Sequence, residues 1–190
     1  MAVDRVPMRQ NPKLFDRVIQ DIQKGLADRL PWLDYSFGRA ERLVKEIDGR
    51  RYYTPNVYTG RGDYELVLPD SVKFGNYSFF VLDEPQDVTH PTQQEVQIST
   101  PFSLIVWVDM RKVGDEYHER NTESVKEDIL LALQDIHIRK GWISVSRIYE
   151  RAENVFAGFT LDEVQNQFMM APYAGFRFYG EMTTTNDCMI

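Results

Sequence analysis

The chain has 190 residues, of which 43% are apolar and 27% charged, values typical of a folded globular protein rather than a disordered segment. Its 22 basic and 29 acidic side chains give a net charge of −7, so its average field repels nucleic acid and anionic membranes. No segment approaches the roughly 18 apolar residues of a membrane helix, and the N-terminus lacks the apolar core of a signal peptide. We therefore expect a domain that is made in the cytoplasm and does not bind membranes.

The first predicted element is an amphipathic helix. Asn11 followed by Pro12 favours a helix start, because Asn caps free amides and Pro fits the first helical position. Pro31 ends the pattern. The apolar stripe that predicts the helix consists of Leu14, Val18, Ile22, Leu26 and Leu30.

Residues 32–82 have the patterns of strands. The pair Asp48 and Gly49 predicts a tight hairpin between residues 43–47 and 51–58. Pro55 makes the second strand an edge strand or a bulged one. Short strands are predicted at residues 64–68 and 77–82, and residues 83–101 are interpreted as a long excursion from the sheet. The basic residues Arg39, Arg42, Lys45, Arg50 and Arg51 are interpreted as a solvated face of the hairpin.

Residues 101–150 form a strand, loop, helix and strand in succession. One face of residues 102–110 is apolar throughout, and Ile105 and Trp107 make the middle of the other face apolar too, which predicts a central strand. After a charged loop at residues 111–121, Thr122 is positioned to cap a helix that lies on the sheet, and residues 142–149 return as a strand. The helix is predicted from one apolar face, made of Val125, Ile129, Ala132, Leu133 and Ile136.

A short helix precedes the last strand. Thr160 and Glu163 have the spacing of a capping box, and Pro172 ends the helix. The last strand is predicted at residues 174–183. The sequence thus predicts an α+β fold with a mainly antiparallel sheet, an N-terminal helix, a central helix packed on the sheet and a short C-terminal helix. It is interpreted as one domain spanning residues 1–190, with a middle insertion at about 55–101 and a polar tail at about 184–190.

The sequence contains no recognisable catalytic motif. None of His90, His118 and His137 has the spacing of a metal ligand pair, and Cys188 has no second cysteine to pair with. We therefore expect no catalytic residue, no metal and no cofactor. The densest acidic cluster lacks the ligand spacing of a calcium loop and is interpreted as a solvated loop; it comprises Asp83, Glu84, Asp87 and His90. Several aromatic residues are interpreted as core or subunit-interface residues: Tyr52, Tyr53, Tyr58, Tyr64, Phe79 and Phe80.

The order of these elements resembles that of the tail-terminator and neck proteins of tailed bacteriophages. The segments that carry the resemblance are PFSLIVWVDMRKV (101–113), ESVKEDILLALQDI (123–136) and PYAGFRFYGEMT (172–183). The resemblance implies a structural virion protein of the neck or tail, in which copies join edge to edge as a ring between the portal or head and the tail. Its implied partners are further copies of the chain and portal, connector or tail proteins, with double-stranded DNA passing through the ring without sequence-specific binding.

The likeness leaves the type of ring component open, because the middle of the chain is longer than in that family and a C-terminal helix is added. The expected contacts lie in the first helix, in residues 83–101, in the loop at residues 111–121 and in the C-terminal tail. The candidate interface residues are Asp83, Glu84, Asp87, Arg111, Lys112, Asp115, Glu116, His118, Arg120 and Cys188.

Two other classes of function remain open. A small enzyme or ligand-binding protein requires an acidic cleft in which Asp83, Asp87 and His90, or Asp109 and His118, converge. A nucleic-acid-binding module would use the basic residues between 39 and 51 against the overall charge.

Overall fold

A computed structural model describes residues 3–60, 62–70, 73–92, 95–114 and 122–187, with the backbone alone at 186 and 187. The helices are α1 (Phe15–Arg29), α2 (Thr122–Asp135), α3 (Ala152–Val155) and α4 (Glu163–Gln167). The strands are β1 (Tyr35–Ile47), β2 (Arg50–Gly60), β3 (Asp63–Leu66), β4 (Tyr77–Leu82), β5 (Asp87–Thr92), β6 (Glu95–Asp109), β7 (Gly141–Tyr149) and β8 (Tyr173–Asp187). The predicted α+β fold is confirmed.

The strands form one sheet in the order β3-β2-β1-β4-β6-β8-β7, and β5 pairs with the first part of β6. Neighbouring strands are antiparallel except β1 and β4, which run parallel. Strand β6 pairs along its whole length with β8, from Glu95 opposite Asp187 to Asp109 opposite Tyr173. Its position between β4 and β8 confirms the predicted central strand.

Each face of the sheet carries a separate apolar core. Helices α1 and α2 cover one face, where Val18, Ile22 and Ile129 are fully buried against strand residues such as Phe178. The other face is covered by α3 and the residues around α4, and its centre is the stacked pair Tyr77 and Trp107. Both predicted helical stripes therefore face the sheet, except that Leu14 is exposed.

The predicted helix start at Asn11 and Pro12 is wrong, because α1 begins at Phe15 after Leu14 and has no side-chain cap. Side chains of the helix hold the preceding segment alongside it: Arg17 donates to the carbonyl oxygen of Pro12 and Gln20 donates to that of Arg9. The predicted capping box is also displaced. Asp162 and Gln165 form it, two residues after the predicted pair.

Residues 83–101 are not an excursion from the sheet. They contain β5 and the first part of β6, which form a hairpin, and Ser99 Oγ lies 2.9 Å from Thr183 Oγ1 on β8. Residues 184–187 likewise continue β8 opposite residues 95–98, so the predicted tail is part of the sheet up to residue 187. Ladder pairing extends β8 through the wholly polar residues 184–187, opposite a part of β6 whose apolar residues are Val96 and Ile98.

Among the described residues, no helix combines the length and the apolar composition that crossing a bilayer requires.

Candidate assembly surfaces

The hairpin of β1 and β2 extends away from the two cores. We call residues 42–53 the arm; its tip is the turn at Asp48 and Gly49, whose φ angles are 51° and 74°. Positive φ at both central residues is typical of the tight turns that join two antiparallel strands, so the predicted hairpin is confirmed. Residues 42–51 are all exposed, while Arg39 is half-buried at the base.

The arm exposes apolar side chains on both of its faces. Leu43 and Ile47 are 46% and 54% exposed on one face, and Val44 is 55% exposed on the other. These exposed apolar side chains make the arm a candidate contact surface. These residues were not among the interface residues predicted from the sequence.

The two edges of the arm differ. Strand β1 pairs with β4 from Tyr35 to Arg39, and beyond that point no other described strand pairs with its inner edge. The outer edge of β2 is covered by β3 as far as Asn56, and the amide of Val67 donates to the carbonyl oxygen of Pro55. Pro55 thus lies where the covering strand ends, in line with its missing N–H.

The loop between α3 and α4 covers the outer edge of β2 beyond the end of β3. The amide of Thr160 donates to the carbonyl oxygen of Tyr53 at 2.8 Å, and the amide of Tyr53 donates to Thr160 Oγ1 at 3.1 Å. The arm therefore has a fixed base, while the peptide groups of its inner edge beyond Arg39 lack a neighbouring strand within the described chain.

A cleft of about 590 Å³ separates the base of the arm from the end of β4. Its arm side consists of Arg39, Glu41 and Arg42, its opposite side of Asp83, Glu84 and Gln86, and residues 157–159 complete it. Arg39 donates from Nη2 to Glu41, but its Nε is buried and finds no partner among the described residues. The Asp83 carboxylate lies 3.6 Å from the guanidinium of Arg177, which leaves Glu84 exposed without a cationic partner in the described chain.

The hairpin of β5 and β6 forms the second projecting surface. We call residues 83–98 the acidic hairpin, because this range contains four carboxylates and neither Lys nor Arg. Glu84 and Asp87 are exposed, and Val88 is 56% exposed. The predicted cluster of Asp83, Glu84, Asp87 and His90 extends along the hairpin; within the described ranges, no three His, Cys, Asp or Glu side chains converge to hold a metal ion.

Arg111 is held by its own chain. Its guanidinium donates to both carboxylate oxygens of Asp109, at 2.9 and 2.8 Å, and lies over the ring of Tyr173 at 5.4 Å. Hydrogen bonds from the Arg111 side chain lower the pKa of Asp109 from its ordinary value, although burial opposes the shift. A carboxylate held ionised in this way is a poor general base, because it binds a proton weakly at neutral pH.

Six candidate residues remain, of which the structure describes one. Lys112 is exposed next to Arg111. Asp115, Glu116, His118, Arg120 and Cys188 lie outside the described residues. The interface roles of all ten candidates therefore stay predictions.

Strand β7 is the outer strand of the sheet on the side away from the arm. Trp142 is 47% exposed on this strand, and Ile148 is 36% exposed. An exposed strand at the end of a sheet presents unpaired backbone groups that another chain can pair with. This edge was not among the contacts predicted from the sequence.

A scan of the chain against protein-family models found no match, and a search of the curated proteins found none either.

Proposed function

We propose that this protein is a non-catalytic structural protein of the virion neck or tail, of the tail-terminator or head-tail connector type. Copies assemble as a ring that joins the portal or head to the tail, and its lumen is the passage for double-stranded DNA. The observation that carries the proposal is the arm, whose Leu43, Val44 and Ile47 are each about half exposed.

Burial of these side chains supplies an energetic reason for assembly. Full burial of a large aliphatic side chain contributes about 1.5–3 kcal/mol, so covering the exposed half of each contributes roughly 1 kcal/mol. A two-stranded hairpin alone is marginally stable in water, and a neighbouring chain on its faces stabilises it. The arm is therefore more consistent with an assembled state than with an isolated subunit.

The edges and the charge support a ring in particular. Strand β7 offers a sheet edge on one side of the subunit, and the free inner edge of β1 lies towards the other. Different surfaces at two ends of a subunit produce head-to-tail contacts, which close into rings when the rotation between copies allows it. A net charge of −7 suits a ring that DNA must traverse without adhering, since acidic surface repels phosphate.

The experiment compares the wild-type protein with the double variant Leu43→Ser, Ile47→Ser by sedimentation and negative-stain imaging at close to millimolar concentration. We expect annular particles from the wild type and monomers from the variant, with unchanged far-ultraviolet circular dichroism. The matched control is Val164→Ser, Met170→Ser, which removes two apolar side chains of similar exposure around α4. Monomeric wild-type protein at this concentration would contradict the proposal.

The cleft favours a second candidate function, a small ligand-binding protein or enzyme. Its volume of about 590 Å³ is that of a small-molecule site, it is lined by Arg39, Asp83 and Glu84, and the buried Nε of Arg39 finds no partner among the described residues. Thermal unfolding of the protein with divalent cations and with phosphate separates the two candidates. A monomer whose Tm rises in a saturable way with one of these ligands favours the second candidate; we expect no such rise.

A further inference from the structure

We infer that the arm of one copy packs against the acidic hairpin of the next copy. This inference rests on the proposed function and specifies the contact between neighbouring subunits. Its first support is charge. The arm contains four basic and two acidic residues, whereas the acidic hairpin contains four acidic residues and no basic one. The whole chain has a net charge of −7, but the arm has a net positive charge, which is complementary to the negative charge of the acidic hairpin.

The charges on the two hairpins are available for contact. Within the described chain, Lys45, Arg50 and Arg51 form no ion pair, and neither do Glu84 and Asp87. Arg42, the fourth basic residue of the arm, makes a cation–π contact within the chain, since its guanidinium lies 4.1 Å from the ring centre of Tyr53. Opposite charges left unpaired on exposed strands steer association between copies and fix its orientation.

The arm and the acidic hairpin also expose apolar side chains that can pack against each other. Val88 is 56% exposed in the acidic hairpin, and Leu43 and Ile47 are exposed to a similar degree on one face of the arm. Packing these side chains together removes apolar area from water on both partners at once. An interface with an apolar centre and a charged rim is the common arrangement between protein subunits.

The contact is head-to-tail. The arm and the acidic hairpin are different surfaces on opposite sides of the cleft, and β1 and β4 no longer pair beyond Arg39 and Phe80. An arm-to-arm contact would bring like charges together, which opposes a symmetric dimer through this element. A contact between two different surfaces propagates from copy to copy, as a ring requires.

Disulfide crosslinking between two single-cysteine variants tests the contact. Both carry Cys188→Ser, which removes the natural cysteine, and then either Ile47→Cys or Val88→Cys. The two are mixed and oxidised, and heterodimers are separated from homodimers by mass. The matched control replaces Val88→Cys with Val164→Cys, a position 59% exposed on α4.

We expect Ile47→Cys to crosslink with Val88→Cys about tenfold more than with Val164→Cys, and the excess to fall at high salt. Reversing the charge of the arm by Arg50→Glu and Arg51→Glu should abolish the excess crosslinking with Val88→Cys. Adding Glu84→Lys and Asp87→Lys to the Val88→Cys partner should restore it. Equal yields with Val88→Cys and Val164→Cys would overturn the inference.

The outcomes separate the inference from the proposed function. Rings without preferential crosslinking would overturn the contact and leave the ring proposal standing. Preferential crosslinking that yields only open filaments would uphold the contact and contradict the ring. A third outcome is crosslinking at the level of the control, together with binding of a DNA duplex. If Arg50→Glu and Arg51→Glu abolish that DNA binding, the arm is a nucleic-acid-binding element instead.

Discussion

Thr160 and Tyr53 exchange two hydrogen bonds, one between their backbones at 2.8 Å and one from the Tyr53 amide to Thr160 Oγ1 at 3.1 Å. These bonds tie the loop between α3 and α4 to the outer edge of β2, next to the end of β3. The arm consequently projects from a fixed base rather than from a hinge. A rigid arm loses less conformational entropy when another chain binds it.

Thr160→Val keeps the shape of this side chain and removes the oxygen that accepts from Tyr53. We expect a loss of about 1 kcal/mol in the free energy of unfolding, or about 2–4 °C in Tm. Hydrogen exchange of the Tyr53 amide should also accelerate. Thr89→Val, at an exposed position on β5, is the control and should change neither quantity. Unchanged exchange at Tyr53 would contradict the anchoring role of the loop.

Arg177 connects the sheet to the same loop. Its Nε donates to Ser103 Oγ at 2.8 Å, and its Nη1 donates to the carbonyl oxygen of Ala157 at 3.0 Å. Arg177→Met keeps the stem but removes both bonds and leaves the buried Ser103 hydroxyl without this donor, so we expect a loss of about 2 kcal/mol in chemical denaturation. Arg147→Met, at an exposed position on β7, should change stability by less than about 0.5 kcal/mol. Equal losses in the two variants would disprove the structural role of the buried arginine.

Asp109 should make stability depend on pH in acid. Because Arg111 lowers its pKa in the folded state, the carboxylate contributes stability above its ordinary pKa of about 4, and this contribution is lost as pH falls through the folded-state value. Asp109→Asn should therefore flatten the acid limb of a stability profile. At neutral pH, the variant should lose about 1 kcal/mol in the free energy of unfolding, since it also weakens the hydrogen bond that the Arg111 amide donates to this side chain. If the free energy of unfolding falls with decreasing pH equally in the wild type and the variant, Asp109 is not the origin of this pH dependence.

Gly180 permits the close pairing of β7 with β8. A Cβ at this position would overlap the carbonyl oxygen of Ser144 on β7, a backbone atom that cannot rotate away. Gly180→Ala should cost about 1–3 kcal/mol and increase hydrogen exchange along β7. Gly49→Ala has open space at the arm tip but requires positive φ, and should cost about 1 kcal/mol without affecting β7. Unchanged exchange along β7 in Gly180→Ala would contradict the steric account.

The sequence predicted elements wherever the signal was local. Asp48 and Gly49 define a turn by themselves, and the stripe from Val18 to Leu30 and the apolar run at 102–110 each report burial directly. Long-range pairing was not predictable in this way. The pairing of residues 95–98 with residues 184–187 joins a segment with two apolar residues, Val96 and Ile98, to a wholly polar one. Helix α1 begins at Phe15 without a side-chain cap, so Asn11 does not have its expected role.

The candidate site was only partly readable. Charge alone pointed to Asp83 and Arg111, but Arg177 and Asp109 lie beside them in the fold, and a sequence does not show such intramolecular partners. The exposed apolar residues of the arm were harder to recognise. Leu43, Val44 and Ile47 have strand propensity and therefore look like ordinary core residues until the fold shows that no layer covers them.

The oligomeric mass of the wild type and of the variant Leu43→Ser, Ile47→Ser, measured side by side by sedimentation, tests assembly through the arm most directly. We predict one closed species for the wild type, with a mass that is a multiple of 22.3 kDa, and a folded monomer for the variant. The same mass for both proteins would contradict the account.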